Sequence, residues 1–563
     1  MLTARSLSPL SRVGCAPPLR IVHVSVDGGL LFHNGFMTEA RARPPGATIR
    51  THLPDDHSTL TAWLPDFVYT GGRFESGLAL VSDRAGRIVE LTRDHARLAA
   101  RLVRLKRRAL LPGLVNAHSH AFQRVIRGRT ERRSAAHDSF WTWREMMYAA
   151  ATRLTPEDAY DASRMAFLEM AASGITSVGE FHYLHHAPGG ARYADENELA
   201  KQVVRAATDV GIRIALLRVA YARAGWNKPP DTRQARFIEP DPEAFLTQTE
   251  TLMSDLAREA SGNTDGRADG EAGGNAHARA WVGVAPHSVR AVPLDYLREV
   301  CAFAAARALP VHMHVAEQPA EVAACTEEHG RTPVALLAGE GLLDERFTAV
   351  HAVHITPEEA HALAAARAHV CACPTTERNL GDGIVPADLL FGAGVRVSLG
   401  TDSHTQIDLL EDARELEYHL RLQRLERAVL APETNAQADA VPGHAPPEAN
   451  DERNSLAALA ARLFECATTN GAAGIGAQGA GALAAGRPAD FFTVALDDPS
   501  IAGAGTDALL PAVVFSLART AVRDVVVGGR RIVEDGQHRT QDEIVERFTN
   551  LQRRLWRPGE TIE

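Results

Sequence analysis

Lysine is nearly absent from this chain: only Lys106, Lys201 and Lys228 occur, and arginine supplies the rest of the 60 basic residues. Against 70 acidic residues the net charge is −10, so the basic footprint that neutralises nucleic-acid phosphates or an anionic membrane is missing. No run approaches the roughly 18 consecutive apolar residues of a membrane span. Cysteine is scarce as well. Cys15, Cys301, Cys325, Cys371, Cys373 and Cys466 lie mostly in apolar runs and read as reduced core thiols, and the C-x-C pair Cys371 and Cys373 lacks the second pair of a zinc knuckle. These absences argue against nucleic-acid and membrane partners and against a disulfide scaffold. They leave a soluble, cytoplasmic protein that handles a small molecule. What is plentiful is apolar: 45% of 563 residues, enough for a large core and more than one domain.

Residues 1–58 show no sustained periodicity. Arg5, Arg12 and Arg20 precede the first acid, Asp27, which superficially suits a targeting peptide. Pro9, Pro17 and Pro18 interrupt any amphipathic helix there, so a disordered extension is the expectation. Short alternating runs, Leu78 to Val81 and Arg87 to Leu91, return near the other end as Asp490 to Val494, Val522 to Val527 and Arg530 to Val533. Residues 59–108 and 483–563 are therefore expected to form one composite β-sandwich built from both chain ends.

Between them, in 109–482, eight apolar strand-like runs alternate with helical text such as Pro156 to Ser173 and Pro357 to Arg367. The runs are Ala109 to Ala117, Ile175 to Phe181, Ile212 to Ala220, Trp281 to Pro286, Leu309 to Val315, Phe347 to Val353, His369 to Pro374 and Val395 to Leu399. Eight such units predict an α/β fold, a (β/α)8 TIM barrel; an open doubly wound sheet is the rival that periodicity leaves standing. Two stretches near 261–277 and 432–453, rich in small and polar residues, read as surface insertions.

Chemistry-bearing residues gather at the C-terminal ends of the predicted strands, the rim where such barrels work. Strand one ends His118-Ser119-His120, and residues two apart on a strand share a face, so both imidazoles can reach one cation. Strand five ends His312-Met313-His314 with Glu317 beyond, strand six carries His351, and strand eight ends at Asp402. Imidazoles and a carboxylate converging from separate strands suit a divalent ion with a place left for water. His312 shares parity with His314 and is the competing ligand. His182, His185, His186 and His354 read as hydrogen-bonded structural histidines.

This constellation resembles the amidohydrolase superfamily. More narrowly, Pro112 to Arg124 (PGLVNAHSHAFQR), Asp138 to Glu145 (DSFWTWRE), Gly179 to His186 (GEFHYLHH) and Ala285 to Arg290 (APHSVR) resemble the formimidoylglutamate deiminases. The resemblance covers about residues 61 to 550. It implies hydrolysis of N-formimino-L-glutamate to N-formyl-L-glutamate and ammonia in histidine degradation, by a homodimer. It also favours His314 over His312, giving one divalent ion, most simply Zn2+, held by His118, His120, His314 and Asp402. Glu317 would shuttle the proton, with His351 orienting the attacking oxygen and Asp402 accepting a proton. Arg144 and Arg290 are the expected readers of the substrate carboxylates, since planar guanidinium forks suit them, with Gln123, Tyr183 and His287 adding hydrogen bonds. Trp141 and Trp143 read as packing residues. A guanidino-acid deiminase would keep all these residues; a nucleobase or aminated-ring deaminase would keep the metal set but prefer aromatic stacking and amide recognition. A second, bridged ion is not expected: no lysine ends a barrel strand, and although Glu180 could in principle bridge, the motif around it resembles the mononuclear deiminases.

Overall fold

The computed structural model describes residues 59–131, 140–262, 279–432 and 449–557. The N-terminal extension, Asp138 and Ser139 of the second motif, and most of both expected insertions lie outside them. At their described edges those insertions continue helices: one helix runs Pro242–Gly262, and another, Ala449–Cys466, takes in the end of the second stretch.

Five strands lead into the barrel: β1 (Leu60–Thr70), β2 (Arg73–Ser76), β3 (Ala79–Asp83), β4 (Ile88–Thr92) and β5 (Arg101–Pro112). The barrel strands are β6 (Leu114–Ser119), β7 (Ile175–His182), β8 (Arg213–Ala220), β9 (Ala280–Pro286), β10 (Val311–Val315), β11 (Phe347–His351), β12 (His369–Ala372) and β13 (Arg396–Leu399). After it come β14 (Phe491–Ala495), β15 (Val522–Val527), β16 (Arg530–Glu534) and β17 (Gln537–His538). The outer strands form one mixed nine-stranded sheet, in the order β17-β16-β15-β14-β5-β1-β3-β4 with β2 on β1. Its two chain ends meet where β5 pairs antiparallel with β14, Phe491 opposite Pro112. Trp63 packs edge-on against Phe491 at 5.3 Å in its core.

Strands β6 to β13 pair in sequence order, all parallel, which is the eight-stranded barrel the alternation predicts. The seam between first and last strands closes at the mouth, where Ser119 bridges Asp402: His120 N donates to Asp402 O and Asp402 N to His118 O, both at 3.1 Å. Seven runs coincide with strands to within a few residues. The first does not: Ala109 to Pro112 belong to β5 of the outer sheet, and the barrel strand begins at Leu114. Gly113 is the joint, and a Cβ there would stand 2.2 Å from Thr176 Oγ1, so nothing larger fits.

Both helices read from the sequence form, and each starts with a capping box behind a proline. Thr155 and Asp158 cap Pro156–Ala172, and Thr356 and Glu359 cap Pro357–Ala365. A short helix, Thr469–Gly474, plugs the opposite end of the barrel. There Trp281 Nε1 donates to Ile475 O at 2.8 Å and His312 Nε2 to Gly474 O at 2.9 Å. Cys301, Cys325, Cys371, Cys373 and Cys466 are free. Among the described residues no helix is long and apolar enough to cross a membrane.

Candidate active site

The backbone bonds that close the barrel seam also set the first cluster. His118 near the end of β6, His120 just past it, His314 on β10 and Asp402 after β13 are all buried, and their donor atoms lie within 4.8 Å of one another. His118 Nε2 is 3.2 Å from both His120 Nε2 and His314 Nε2. Asp402 Oδ1 is 3.2 Å from His120 Nε2 and 3.5 Å from His118 Nε2. On their far sides His120 Nδ1 donates to Phe181 O at 2.9 Å and His314 Nδ1 to His287 O at 3.2 Å. Those carbonyl partners assign the ring proton to Nδ1 and leave Nε2 as a lone pair. His118 Nε2 lies between these two lone pairs and could donate a proton to only one of them, so three ring nitrogens this close fit donors that share a cation. Burial pushes His118 down to about 3 and His314 well below the usual imidazole value, which keeps both neutral, as ligands must be. Three imidazoles and one carboxylate fit a borderline divalent ion.

A second group lies beside the first. Glu317, two residues beyond β10, brings Oε1 to 3.7 Å from His351 Nε2, and the same nitrogen is 3.7 Å from Asp402 Oδ2. Behind the ring, His351 Nδ1 donates to Glu377 Oε1 at 3.2 Å, and that oxygen also accepts the Cys373 N–H at 2.8 Å. Burial opposes charge on His351, but Glu317, Glu377 and Asp402 outweigh it and hold the ring well above its ordinary value. Glu321 accepts the Ala316 and Glu317 N–H groups at 3.3 and 3.2 Å, pinning the turn that carries Glu317. Ala316, His351, Ala352 and Asp402 all have positive φ, at 52°, 72°, 50° and 43°. Each costs on the order of 1 to 3 kcal/mol, and all four sit at strand ends around this cluster.

These groups form the floor of an open cleft. Gln123, Tyr183 and His287 line one wall, and Gln123 Nε2 donates to Tyr183 OH at 2.9 Å while its Oε1 is buried without a partner. Arg144, from the helix Phe140–Ala151, and Arg290, after β9, line it too. Arg144 lies over Trp141 at 4.5 Å and Tyr148 at 5.3 Å; Arg290 lies over Trp141 at 5.9 Å. Both Nε atoms are buried without a hydrogen-bond partner, and among the described residues neither guanidinium has a carboxylate partner. Glu145, the neighbour able to neutralise Arg144, pairs with Arg233 instead.

Every residue singled out from the sequence for metal, proton or substrate thus borders one cleft, apart from His118, which lies beneath it in the first cluster. The bystander histidines hold backbone: His312 the plug helix, His185 Val219 O at 2.8 Å, His186 Ile238 O at 3.1 Å and His354 Asp382 O at 2.9 Å. His182 is buried outside the clusters. Glu180 accepts from Ser119 Oγ at 2.5 Å and from Ala121 N at 2.7 Å and belongs to neither cluster. Sequence reasoning missed Tyr148 and Tyr221, whose hydroxyls both accept from Gln234 Nε2, at 2.6 and 2.9 Å. Trp143, read as packing, lines the cleft, and Trp141 serves as the shelf under both arginines. Glu377 was missed although it follows β12 at the same rim.

Residues 109–532 match the model of the amidohydrolase family. A curated formimidoylglutamate deiminase of Pseudomonas aeruginosa is 37% identical over 444 residues, 79% of this chain and 88% of that protein. An 8-oxoguanine deaminase of the same organism is 27% identical over 478 residues, covering 84% and 93%. Among solved structures, an amidohydrolase of Brucella melitensis superposes with a TM-score of 0.74 at 32% identity, covering 88% of this chain and 99% of that one.

Proposed function

Because this chain belongs to the amidohydrolase family, we propose that it hydrolyses the C=N group of N-formimino-L-glutamate, releasing ammonia and N-formyl-L-glutamate in histidine degradation. The observation that carries this substrate is the pair Arg144 and Arg290: two guanidinium groups that, among the described residues, have no carboxylate partner and face the cleft whose floor holds the clustered donors. A planar, delocalised cation fits a carboxylate in bidentate fashion, and an unpaired pair of them suits an acidic substrate better than a neutral ring. Gln123, Tyr183 and His287 add hydrogen bonds to the glutamate skeleton; burial keeps the Tyr183 hydroxyl protonated and His287 neutral.

His118, His120, His314 and Asp402 are assigned to one divalent ion, Zn2+ by the softness of three nitrogens and one oxygen. Such an ion makes water a nucleophile at neutral pH. Glu317 takes the proton of the attacking water and hands it to the departing nitrogen, with His351 orienting the water and Asp402 accepting its remaining proton. The burial of Glu317 and His351 excludes competing solvent from this transfer. Metal-replete protein offered formimino-glutamate, guanidino-glutarate, guanine and cytosine tests the reading through ammonia release. Formimino-glutamate is expected to be the preferred substrate. Preference for guanidino-glutarate would move the activity to guanidino acids, and preference for either base would remove the role given to the arginines.

A further inference from the structure

Cys373, which the sequence reads as core, has a chemically loaded neighbourhood. β12 ends at Ala372, and Cys373 stands one position beyond it, at the start of the helix Pro374–Leu380. A ring nitrogen of His351, the Cys373 Sγ and a carboxylate oxygen of Asp402 all lie within 4.8 Å of one another, and the three residues are buried. Asp402 faces two ways: Oδ1 turns to His118 and His120, while Oδ2 lies 3.7 Å from His351 Nε2. Glu317 Oε1 is 3.7 Å from the same nitrogen. Behind the ring, the bond from Nδ1 to Glu377 is the carboxylate–histidine arrangement that presents Nε2 to a metal.

We propose that His351, Cys373 and Asp402 form a second cation site, which takes a soft or borderline divalent ion and inhibits the enzyme. One nitrogen, one sulfur and one oxygen, with Glu317 in reach as a further oxygen, select zinc or cadmium over magnesium or calcium. Three carboxylates, on Glu317, Glu377 and Asp402, surround the His351 ring, so the local field draws a cation in. On binding, the Cys373 thiol and the His351 Nε2 give up any proton they hold to solvent, and each donates a lone pair. His351, Asp402 and Glu317 border the cleft, which is the ion's way in. An ion held there occupies the two groups assigned to water orientation and proton transfer, and turnover stops. The proposal rests on the one-ion reading of the neighbouring cluster, since Asp402 then spans both ions.

The test starts from protein loaded with one zinc per chain and adds cadmium, following the ultraviolet thiolate-to-cadmium absorption without substrate and ammonia release with it. One cadmium per chain is expected to bind while the zinc stays, with the absorption rising in step with the loss of turnover. Cys373→Ser and Cys373→Ala should lose the absorption and need at least about tenfold more cadmium for half-inhibition, the lower end of what losing even an outer partner costs a metal site. Cys371→Ser should keep both. Absorption that persists in Cys373→Ser, or wild-type protein that keeps its zinc and shows no thiolate signal, overturns the proposal. Should the variants not fold, X-ray absorption at the cadmium edge of the unaltered protein decides: one sulfur neighbour supports the site and none overturns it. Failure of the one-ion reading shows separately, as protein that retains no zinc before cadmium is added.

Discussion

His312 and His314 lie two residues apart on β10, point to the same interior, and are both buried, yet they serve opposite ends of the barrel. At the plugged end His312 Nε2 donates to Gly474 O, Trp281 reaches Ile475 O, and Asn470 Nδ2 donates to Val397 O at 3.0 Å. At the mouth His314 Nε2 faces His118 Nε2, two guanidinium groups have no carboxylate partner among the described residues, and four residues around the floor hold left-handed backbone. One end uses its polar groups to fasten the plug to the strands. The other keeps them aimed at something outside the chain and accepts strain to do so. The difference is between polar groups satisfied within the fold and polar groups left facing the cleft.

The contrast breaks most sharply at Glu317, the proposed proton carrier. Glu317→Gln should cut turnover by about 10²- to 10⁴-fold while metal content stays near the parent's, which kinetics and metal analysis on one preparation can read. Loss of the metal would make Glu317 a ligand, and retained turnover would remove its role. Next come the arginines. Arg290→Met, and separately Arg144→Met, should weaken formimino-glutamate by about 2 to 5 kcal/mol, seen as a raised KM with the metal unchanged. A parental KM in both would mean that the carboxylates are read elsewhere. At the plugged end the expected effect is smaller and of another kind: His312→Leu leaves Gly474 O unpaired and should cost about 1 to 3 kcal/mol of stability, lowering Tm while kcat/KM of the folded enzyme holds. A selective loss of turnover there would erase the distinction between the two ends.

The smallest expected effect lies behind the cleft wall, where Arg218 makes a bidentate pair with Glu239 at 2.7 and 2.9 Å. Burial alone would raise the Glu239 carboxyl, but His185 and Arg218 bring it down to about 2 from its ordinary 4.5. A depressed acid contributes stability that is complete above its unfolded value and is lost as pH falls toward the folded one. Unfolding measured between pH 4.5 and about 2 should therefore show that contribution fading, and Glu239→Gln should flatten the dependence over this window. An unchanged slope in the variant would assign the acid sensitivity to other groups.

Much of this was legible in the chain, and the limits have physical causes. Near-continuous apolar runs betray buried parallel strands, and the rim rule turns their ends into a site. Ala109 to Ala117 was misread as one strand because both flanks of Gly113 are apolar and buried, so no change of period marks the passage from outer sheet to barrel. Tyr148, Tyr221 and Gln234 come from a helix, a strand end and a short 3-10 turn, and one hydrogen-bonded bridge across 86 residues leaves no periodic trace. Glu377 could have been found: it stands five residues past β12 at the rim, but it followed a cysteine pair already assigned to the core. The hold of Ser119 and Ala121 on Glu180 left no trace in the sequence either, because Ser119 and Ala121 stand about 60 residues from it along the chain.

The central claim is that the mouth cluster of His118, His120, His314 and Asp402 holds a single ion on which turnover depends. Chelated protein titrated with zinc, with bound metal and ammonia release from formimino-glutamate read on the same samples, measures this directly. Activity should rise linearly and saturate at one equivalent per chain, then decline as further zinc enters beside His351. Activity that needs two equivalents to saturate, or that survives complete removal of metal, would contradict the account.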